Sequence, residues 1–332
     1  MARENIVSEA FVRRDLIDSA RMRDLCTPSD ARGAAQAISH LGAIGITGAL
    51  LWSARGSGWA VPLFMAHGIL LNFLYAGQHE LSHWTVFRTR WLNEWLGRFF
   101  GFVLFYPRDF DQIQHLAHHR FTQDWEQDGE LERPPYDRKS LFLWMSGIDY
   151  WYTRWKRILR YSFGIIPERY LPKARHPGLV LESRLHLAGY LLILAVSVWA
   201  HSTAALWLWL APMVCMKFVH QLQNTIEHLG LPHTNNVLIN TRSTRTNALM
   251  RWMCWQMQYH TAHHAFPGVP FHRLKELNAA LFTERGTAPP SMTYLGFVLA
   301  AFRAFSGGRT EADYPDDAVW ISDAPPLERV HG

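Results

Sequence analysis

Charge is missing from three long stretches of this chain. No Asp, Glu, Lys or Arg occurs from Gly33 to Ala54, from Gly56 to His79, or from Leu185 to Met216. A membrane helix needs about 20 mainly apolar residues. The first two stretches each fit one span. The third fits a hairpin of two spans turning near His201-Ser202-Thr203, its second helix running on past Lys217. The competing explanation, buried core helices of a large soluble protein, seldom needs apolar runs this long. A mean hydropathy of −0.11 is no objection, because four spans leave more than half the chain outside the bilayer.

Cysteine is scarce as well. Cys26, Cys215 and Cys254 form no spaced pair, which argues against a disulfide framework, a cysteine zinc site or an iron–sulfur cluster. No flavin or nucleotide fingerprint occurs, and there is no repeat, low-complexity tract or interdomain linker. The N-terminus, MARENIVSEAFVRRDLIDSARMRD, lacks an apolar core and does not read as a signal peptide. Four spans put both termini on one side. The two opposite turns, Ala54–Gly58 and His201–Thr203, hold one basic residue, Arg55, of the chain's 33. The positive-inside rule therefore predicts cytoplasmic termini and long segments. The net charge of +5 suits a face near anionic lipid better than nucleic-acid binding.

Against these absences, histidine is abundant. There are 18, and nine fall in patterned positions. His79 and His83 follow the second span directly, within HELSH. QIQHLAHHRFTQDWEQDGE supplies His115, His118 and His119, an H-x-x-H-H pattern, and QYHTAHHAFPGVPF repeats it with His260, His263 and His264. HQLQNTIEHLG leaves the fourth span with Asn224 and His228 four apart. Spacings of three and four aim imidazoles from one helix into the same space. The topology puts all four clusters on the cytoplasmic side, an agreement not built into the charge argument.

Imidazole suits zinc, copper, iron and nickel, so ligand type alone does not name the metal. HELSH read as H-E-x-x-H is a zinc-protease signature. A catalytic zinc, however, takes three protein ligands and an open position, which leaves six histidines idle. Such an intramembrane protease would also want an Asp from another span, and the fourth span has none. Ferritin-type di-iron sites need Glu-x-x-His on two helices, and only Glu80-to-His83 has that spacing. Eight or nine histidines can instead surround two metals with four or five each. A non-enzymatic metal carrier or haem-binding protein is a further class, but a carrier should place its ligands along a path within the spans.

The chain resembles the membrane fatty acid desaturase superfamily, from about Gly33 to Asn278. YHTAHHAFPGVPFHRLKEL is similar to the third desaturase box, and HLAHHRFT to the second, including Thr122. The resemblance implies two irons held by His79, His83, His115, His118, His119, His260, His263 and His264, with dioxygen as co-substrate. The family's additional ligand maps onto His228, and Asn224 matches an asparagine that touches one iron through water in some desaturases. HELSH and NTIEHLG are more like the alkane hydroxylases, so hydroxylation on the same scaffold is the alternative to desaturation.

The expected fold is an all-α integral membrane protein of four transmembrane helices with a cytoplasmic helical cap carrying the histidine-rich di-iron site. It reads as one domain: a cytoplasmic segment over 1–32, the four-span core over 33–278 and a cytoplasmic segment over 279–332. Phe99–Phe105 and Leu141–Tyr152 should lie at the membrane interface, Ser291–Phe305 should be another such helix or a packed lid, and past Gly307 a loose tail follows. His220 shares a face with Asn224 and reads as a second-shell or structural residue. Asn72 either lines a substrate tunnel or bonds to a neighbouring span, and His67 bonds to another span. Asp124, Asp128 and Glu130 either orient imidazoles or form a solvated acidic loop. HPGL at His176 reads as a turn. The resemblance implies an acyl chain or other hydrophobic substrate. Electrons would come from a separate ferredoxin, rubredoxin or cytochrome with its reductase, docking where Lys156, Arg157 and Arg160 offer positive charge.

Overall fold

The computed structural model describes residues 16–131 and 133–323. Fourteen α-helices are described, with one two-residue parallel ladder, β1 (Ser243–Thr244) against β2 (Ser291–Met292). After a short α1 (Ser19–Leu25), α2 (Asp30–Ser53) and α3 (Ala60–Ser82) form a hairpin. Then come α4 (Arg90–Val103), α5 (Arg108–Phe121), α6 (Arg138–Ser146) and α7 (Ile148–Ser162). The chain next enters α8 (His176–Trp199), α9 (Ala211–Cys215) and α10 (Lys217–His228). The remainder comprises α11 (Ala248–Met253), α12 (His260–Ala265), α13 (Leu274–Leu281) and α14 (Tyr294–Ala304).

Among the described residues, three helices are long and apolar enough to cross a membrane: Asp30–Ser53, Ala60–Ser82 and Lys173–Trp199. Their outer faces carry bare apolar side chains, such as Ile38, Ile46, Leu192 and Val198, which in water would be a large unsatisfied patch. The expected fourth span is not one straight helix. It opens with a π-helical turn over Leu206–Leu210, continues as α9, and breaks at Met216 before α10. The break has a chemical cause and a chemical remedy. Pro212 has no N–H, so the Leu208 carbonyl loses its partner four residues on, and His67 Nε2 on α3 donates to it at 2.9 Å. The interruption at Met216 leaves the Met213 carbonyl to Asn72 Nδ2, at 3.0 Å. Apolar surroundings make such pairing obligatory. Gly68 lets the two elements approach, since a Cβ there would stand 2.5 Å from the Pro212 carbonyl oxygen.

Two helices carry exposed apolar stripes at helical spacing: Trp91, Trp95 and Phe99 on α4, and Ile148, Tyr152, Trp155 and Leu159 on α7. They only overlap the segments expected at the interface: Phe99 is exposed but Phe100, Leu104 and Phe105 of Phe99–Phe105 are buried, while Phe142, Ile148 and Tyr152 of Leu141–Tyr152 are exposed. Two expectations fail. HPGL is not a turn: His176 begins α8, with Pro177 in the first turn, where a missing N–H costs nothing. Nor is the chain loose past Gly307. Ile321 is fully buried, Trp320 and Ile321 both donate to the Gly230 carbonyl, and the Ile321 carbonyl accepts from Arg242. Residues 1–15, most of the stretch read as lacking a leader, and the last residues of the tail fall outside the described part.

Candidate metal centre

Each histidine is set by the end of a helix. α3 runs on beyond its apolar stretch, so His79 lies in its last turn and His83 caps it. Gly77 lets that turn pack tightly, because a Cβ there would stand 2.6 Å from the Phe100 ring and 2.8 Å from Trp255. α5 carries His115, His118 and His119 and is tied to α3 by Gln112, whose amide donates to the Ser82 carbonyl at 2.7 Å. α10 ends at His228, with Arg242 clamping the Ile226 and Leu229 carbonyls beside it. α12 holds His260, His263 and His264, and the following Val269 and Phe271 are buried in the main core. That burial is the physical content of the Phe-Pro-x-Val-Pro tail.

Nine histidines from four helices meet in this way, in two groups. His79, His83, His115, His119 and His263 present ring nitrogens that all lie within 4.8 Å of one another. His118, His228 and His264 form the second group, and His260 joins it with Nε2 2.8 Å from Nε2 of His228. Within the first group, Nε2 atoms stand 2.8 Å apart for His79–His263, 2.7 Å for His83–His115 and 3.2 Å for His119–His263. Two ligands about 2.1 Å from one ion, at right angles, lie about 3 Å apart. The spacing therefore fits cis positions around a metal ion, and the buried Nε2 of His264 has no hydrogen-bond partner.

Burial and the neighbouring imidazoles hold His115, His119, His260, His263 and His264 well below the ordinary histidine value, so their rings are neutral and carry lone pairs. Burial alone lowers His83 to about 3. His118 runs the other way: burial works against its charge, but Asp128 and then Glu130 outweigh burial and lift it to about 9. Both Asp128 oxygens stand 2.9 Å from His118 Nδ1. That contact fixes a proton on Nδ1 and leaves Nε2 for a ligand bond.

Two further carboxylates sit behind rings. Glu80 Oε1 is 3.4 Å from Nδ1 of His263, and Glu227 Oε1 is 3.5 Å from Nδ1 of His260. Both glutamates are buried. The Thr122 hydroxyl meets Nδ1 of His264 at 3.1 Å. Sequence reasoning did not place Glu80 and Glu227 here. The available signal was adjacency: each flanks a histidine on its own helix, and 100° of rotation turns it toward a ring from another helix.

The remaining predicted residues fall as follows. Asn224 lines the cavity beside the second group. His220 also lines it, but stacks on Tyr75 at 3.7 Å and meets Lys217 Nζ through Nδ1 at 2.6 Å, outside both groups. Asp124 does not touch an imidazole among its recorded bonds; it accepts from the backbone of Glu126 and Gln127 in a turn. Asn72 spends its amide on the Gly68 and Met213 carbonyls. Arg157 is not on the surface with Lys156 and Arg160, because it points inward over the Phe110 ring, 3.8 Å away.

The fatty acid desaturase family model matches residues 19–296. The chain belongs to the fatty acid desaturase family. This is a family of oxidoreductases, and together with the three apolar helices it makes the chain a membrane protein. Two curated relatives are distant. A protein of Arthrospira platensis named sn-1 oleoyl-lipid 12-desaturase is 19% identical over 229 residues, covering 63% of this chain and 64% of the relative. A protein of the same name from Picosynechococcus sp. is 20% identical over 237 residues, covering 67% and 68%.

Proposed function

We propose that this chain is a di-iron desaturase that uses dioxygen to oxidise the acyl chain of a lipid or related amphiphile. The observation that carries the proposal is the division of nine histidines into a group of five and a group of three with ring nitrogens at the spacing of ligands on one ion, His260 joining the latter through His228. The two relatives' names point to a lipid-bound acyl chain as substrate. The protease alternative fares worse: Glu80, its would-be base, lies behind the ring of His263 on the Nδ1 side. In this proposal the broken helix over 206–228 is the fourth span, the termini and histidines are cytoplasmic, and a separate electron donor docks near the exposed Lys156 and Arg160.

His79, His83, His115, His119 and His263 would hold one iron, and His118, His228, His260 and His264 the other, with Asn224 beside the second. Bound there, the pair would supply dioxygen-dependent removal of hydrogen from an unactivated C–H bond. The protein's own work is to keep the rings other than His118 neutral by burial and to fix His118, His260 and His263 from behind with Asp128, Glu227 and Glu80. It also presents a cavity of about 340 Å³, with His79, His115 and His260 among its walls, to the substrate. Hydroxylation remains the alternative outcome on the same scaffold, since the first and fourth motifs are hydroxylase-like.

Elemental analysis of the purified protein tests this. About two irons per chain are expected, and the variant His263→Ala with His264→Ala, which removes one ring from each group, should lose half or more. Incubation with a donor, its reductase and defined lipids then separates loss of two hydrogens from gain of one oxygen. One zinc per chain, unchanged in the double variant, would overturn the proposal.

A further inference from the structure

The cavity beside the histidines is the wrong kind of surface for the middle of an acyl chain. Besides imidazoles, its lining is polar and charged of both signs: Tyr106, Gln114, Tyr150, Arg154 and Arg157 line it together with Asp111, Glu130, Asp149 and Glu227. Arg154 and Arg157 are three apart on α7 and share a face. The other face of that helix carries Tyr152, Trp155 and Leu159 outward. The helix thus turns Arg154 and Arg157 to the interior while Lys156 and Arg160 stay exposed beside its outward apolar side chains.

Several donors on these cations lack hydrogen-bond partners. Nε of Arg154 and both Nε and Nη1 of Arg157 are buried with no hydrogen bond. Arg154 lies over the ring of Tyr106 at 3.7 Å and that of Tyr150 at 4.7 Å, and no carboxylate pairs with it among the described residues. Arg157 has only Glu168 at 3.6 Å, and that acid also accepts from the Tyr161 hydroxyl. Lys217, fully buried, stands 3.4 Å over the same Tyr150 ring, and its recorded hydrogen-bond partner is His220. Of the four acids that line the cavity, Asp111 accepts from the Ser82 hydroxyl and Glu227 from Gln223, and neither Glu130 nor Asp149 forms an ion pair with Arg154 or Arg157 among the described residues. Desolvated guanidinium groups with donors left unpaired are costly, and a bidentate oxyanion is what those donors fit best.

The imidazoles and this polar lining are close. Gln78, next to His79, donates to the Tyr106 carbonyl, and the Tyr106 hydroxyl donates to Gln114, next to His115. Arg154 therefore stands one aromatic ring away from residues adjacent to two histidines. The volume of about 340 Å³ is that of a small-molecule site.

We infer that Arg154 and Arg157 bind a compact oxyanion of the substrate, a carboxylate or a phosphate, so that the C–H bond presented to the histidines lies a few bonds from the charged end. The inference names the substrate class for the oxidative site proposed above and rests on that site.

Binding to the full-length protein in nanodiscs tests it, read by calorimetry with octanoate, octyl phosphate and octanol as probes, on metal-free and iron-loaded samples. The anionic probes should bind at least about ten-fold tighter than octanol. Arg154→Gln and Arg157→Gln should each reduce that preference about ten-fold, whereas Arg154→Lys should retain part of it. Octanoate ahead of octyl phosphate identifies a free carboxylate as the source, and the reverse order identifies a phosphate headgroup. Octanol binding as tightly as octanoate, or a preference unchanged in both glutamine variants, overturns the inference. Iron content separates the two proposals. Two irons per chain with no anion preference defeats only this one, and an anion preference in a chain that takes up no iron defeats only the di-iron reading.

Discussion

Glu80→Gln isolates what a carboxylate behind a ligand ring contributes. Glu80 is fully buried, neither of its oxygens has a hydrogen-bond partner, and Oε1 stands 3.4 Å from Nδ1 of His263. Adding the imidazole ring and a metal–nitrogen bond of about 2.1 Å puts the carboxylate roughly 7–8 Å from an ion on Nε2. At an effective dielectric of about 20, a unit charge at that distance interacts with a dication by about 4 kcal/mol. Burial alone keeps the Glu80 carboxyl neutral, so it is the dication that would ionise it; glutamine keeps the shape and loses that charge. Relaxation reduces the full Coulomb value, and the expected loss of iron affinity is about 10- to 100-fold. The lost anion also favours the lower oxidation state, so the reduction potential should rise by tens of millivolts, up to about 100 mV. Competition against a calibrated chelator reads the affinity, and spectroelectrochemistry reads the potential. Wild-type affinity together with wild-type potential in Glu80→Gln would refute the reasoning, because a merely space-filling glutamate predicts that pair of results.

Two other variants follow from the same surroundings. Burial pushes the Asp111 carboxyl up to about 6 against the opposing bond from Ser82. A carboxyl whose folded value lies above its unfolded value of about 3.9 stabilises the fold when protonated. That contribution is complete below about pH 4 and is lost as pH rises to about 6, by at most about 3 kcal/mol. Asp111→Asn should therefore melt higher than the parent at pH 8 and lose the decline between pH 4 and 6; an unchanged slope in detergent melting curves would contradict this. Gly77→Ala places a methyl group 2.6 Å from the Phe100 ring and 2.8 Å from Trp255, both fully buried. The clash should cost about 1–3 kcal/mol, exceeding the gain of roughly 1 kcal/mol in helix propensity, and displacement of the adjacent turn should lower iron content. A melting temperature equal to the parent's would show that the core yields there.

Much of the fold was legible because lipid imposes a crude rule. Uncharged runs long enough to span announced α2, α3 and α8, whereas the aromatic segments Phe99–Phe105 and Leu141–Tyr152 only overlapped α4 and α7 and missed Trp91, Trp95, Trp155 and Leu159 on their exposed faces. What was not legible depended on long-range partners. Pro212 explains why the Leu208 carbonyl is left free, yet nothing local shows that His67 and Asn72, some 140 positions away in sequence, would satisfy the Leu208 and Met213 carbonyls. Both are polar groups inside a span, and each bonds to a neighbouring helix. The seating of Ile321 on Gly230 is of the same kind. A polar, glycine-containing tail looks loose until Arg242 is found holding its backbone.

The centre divides along a similar line. Spacings of three and four put imidazoles on common helix faces, so the convergence of each motif could be read locally. The partition into five and four could not, because α5 and α12 each send histidines to both groups. His118 goes to one side while His115 and His119 go to the other, and His263 parts from His260 and His264. Neighbouring positions on a helix diverge by 100°, so an H-x-x-H-H run cannot aim all its rings at one point. The same geometry explains Glu80 and Glu227. A carboxylate beside a ligand on its own helix is turned away from that ligand's metal and toward a ring arriving from elsewhere. In the proposed centre an all-histidine set would leave the charge of two dications uncompensated among its own ligands. Burial keeps Glu80 and Glu227 neutral on their own, and with the ions bound they and Asp128 would supply negative charge one ring further out, without occupying a position that dioxygen or substrate needs.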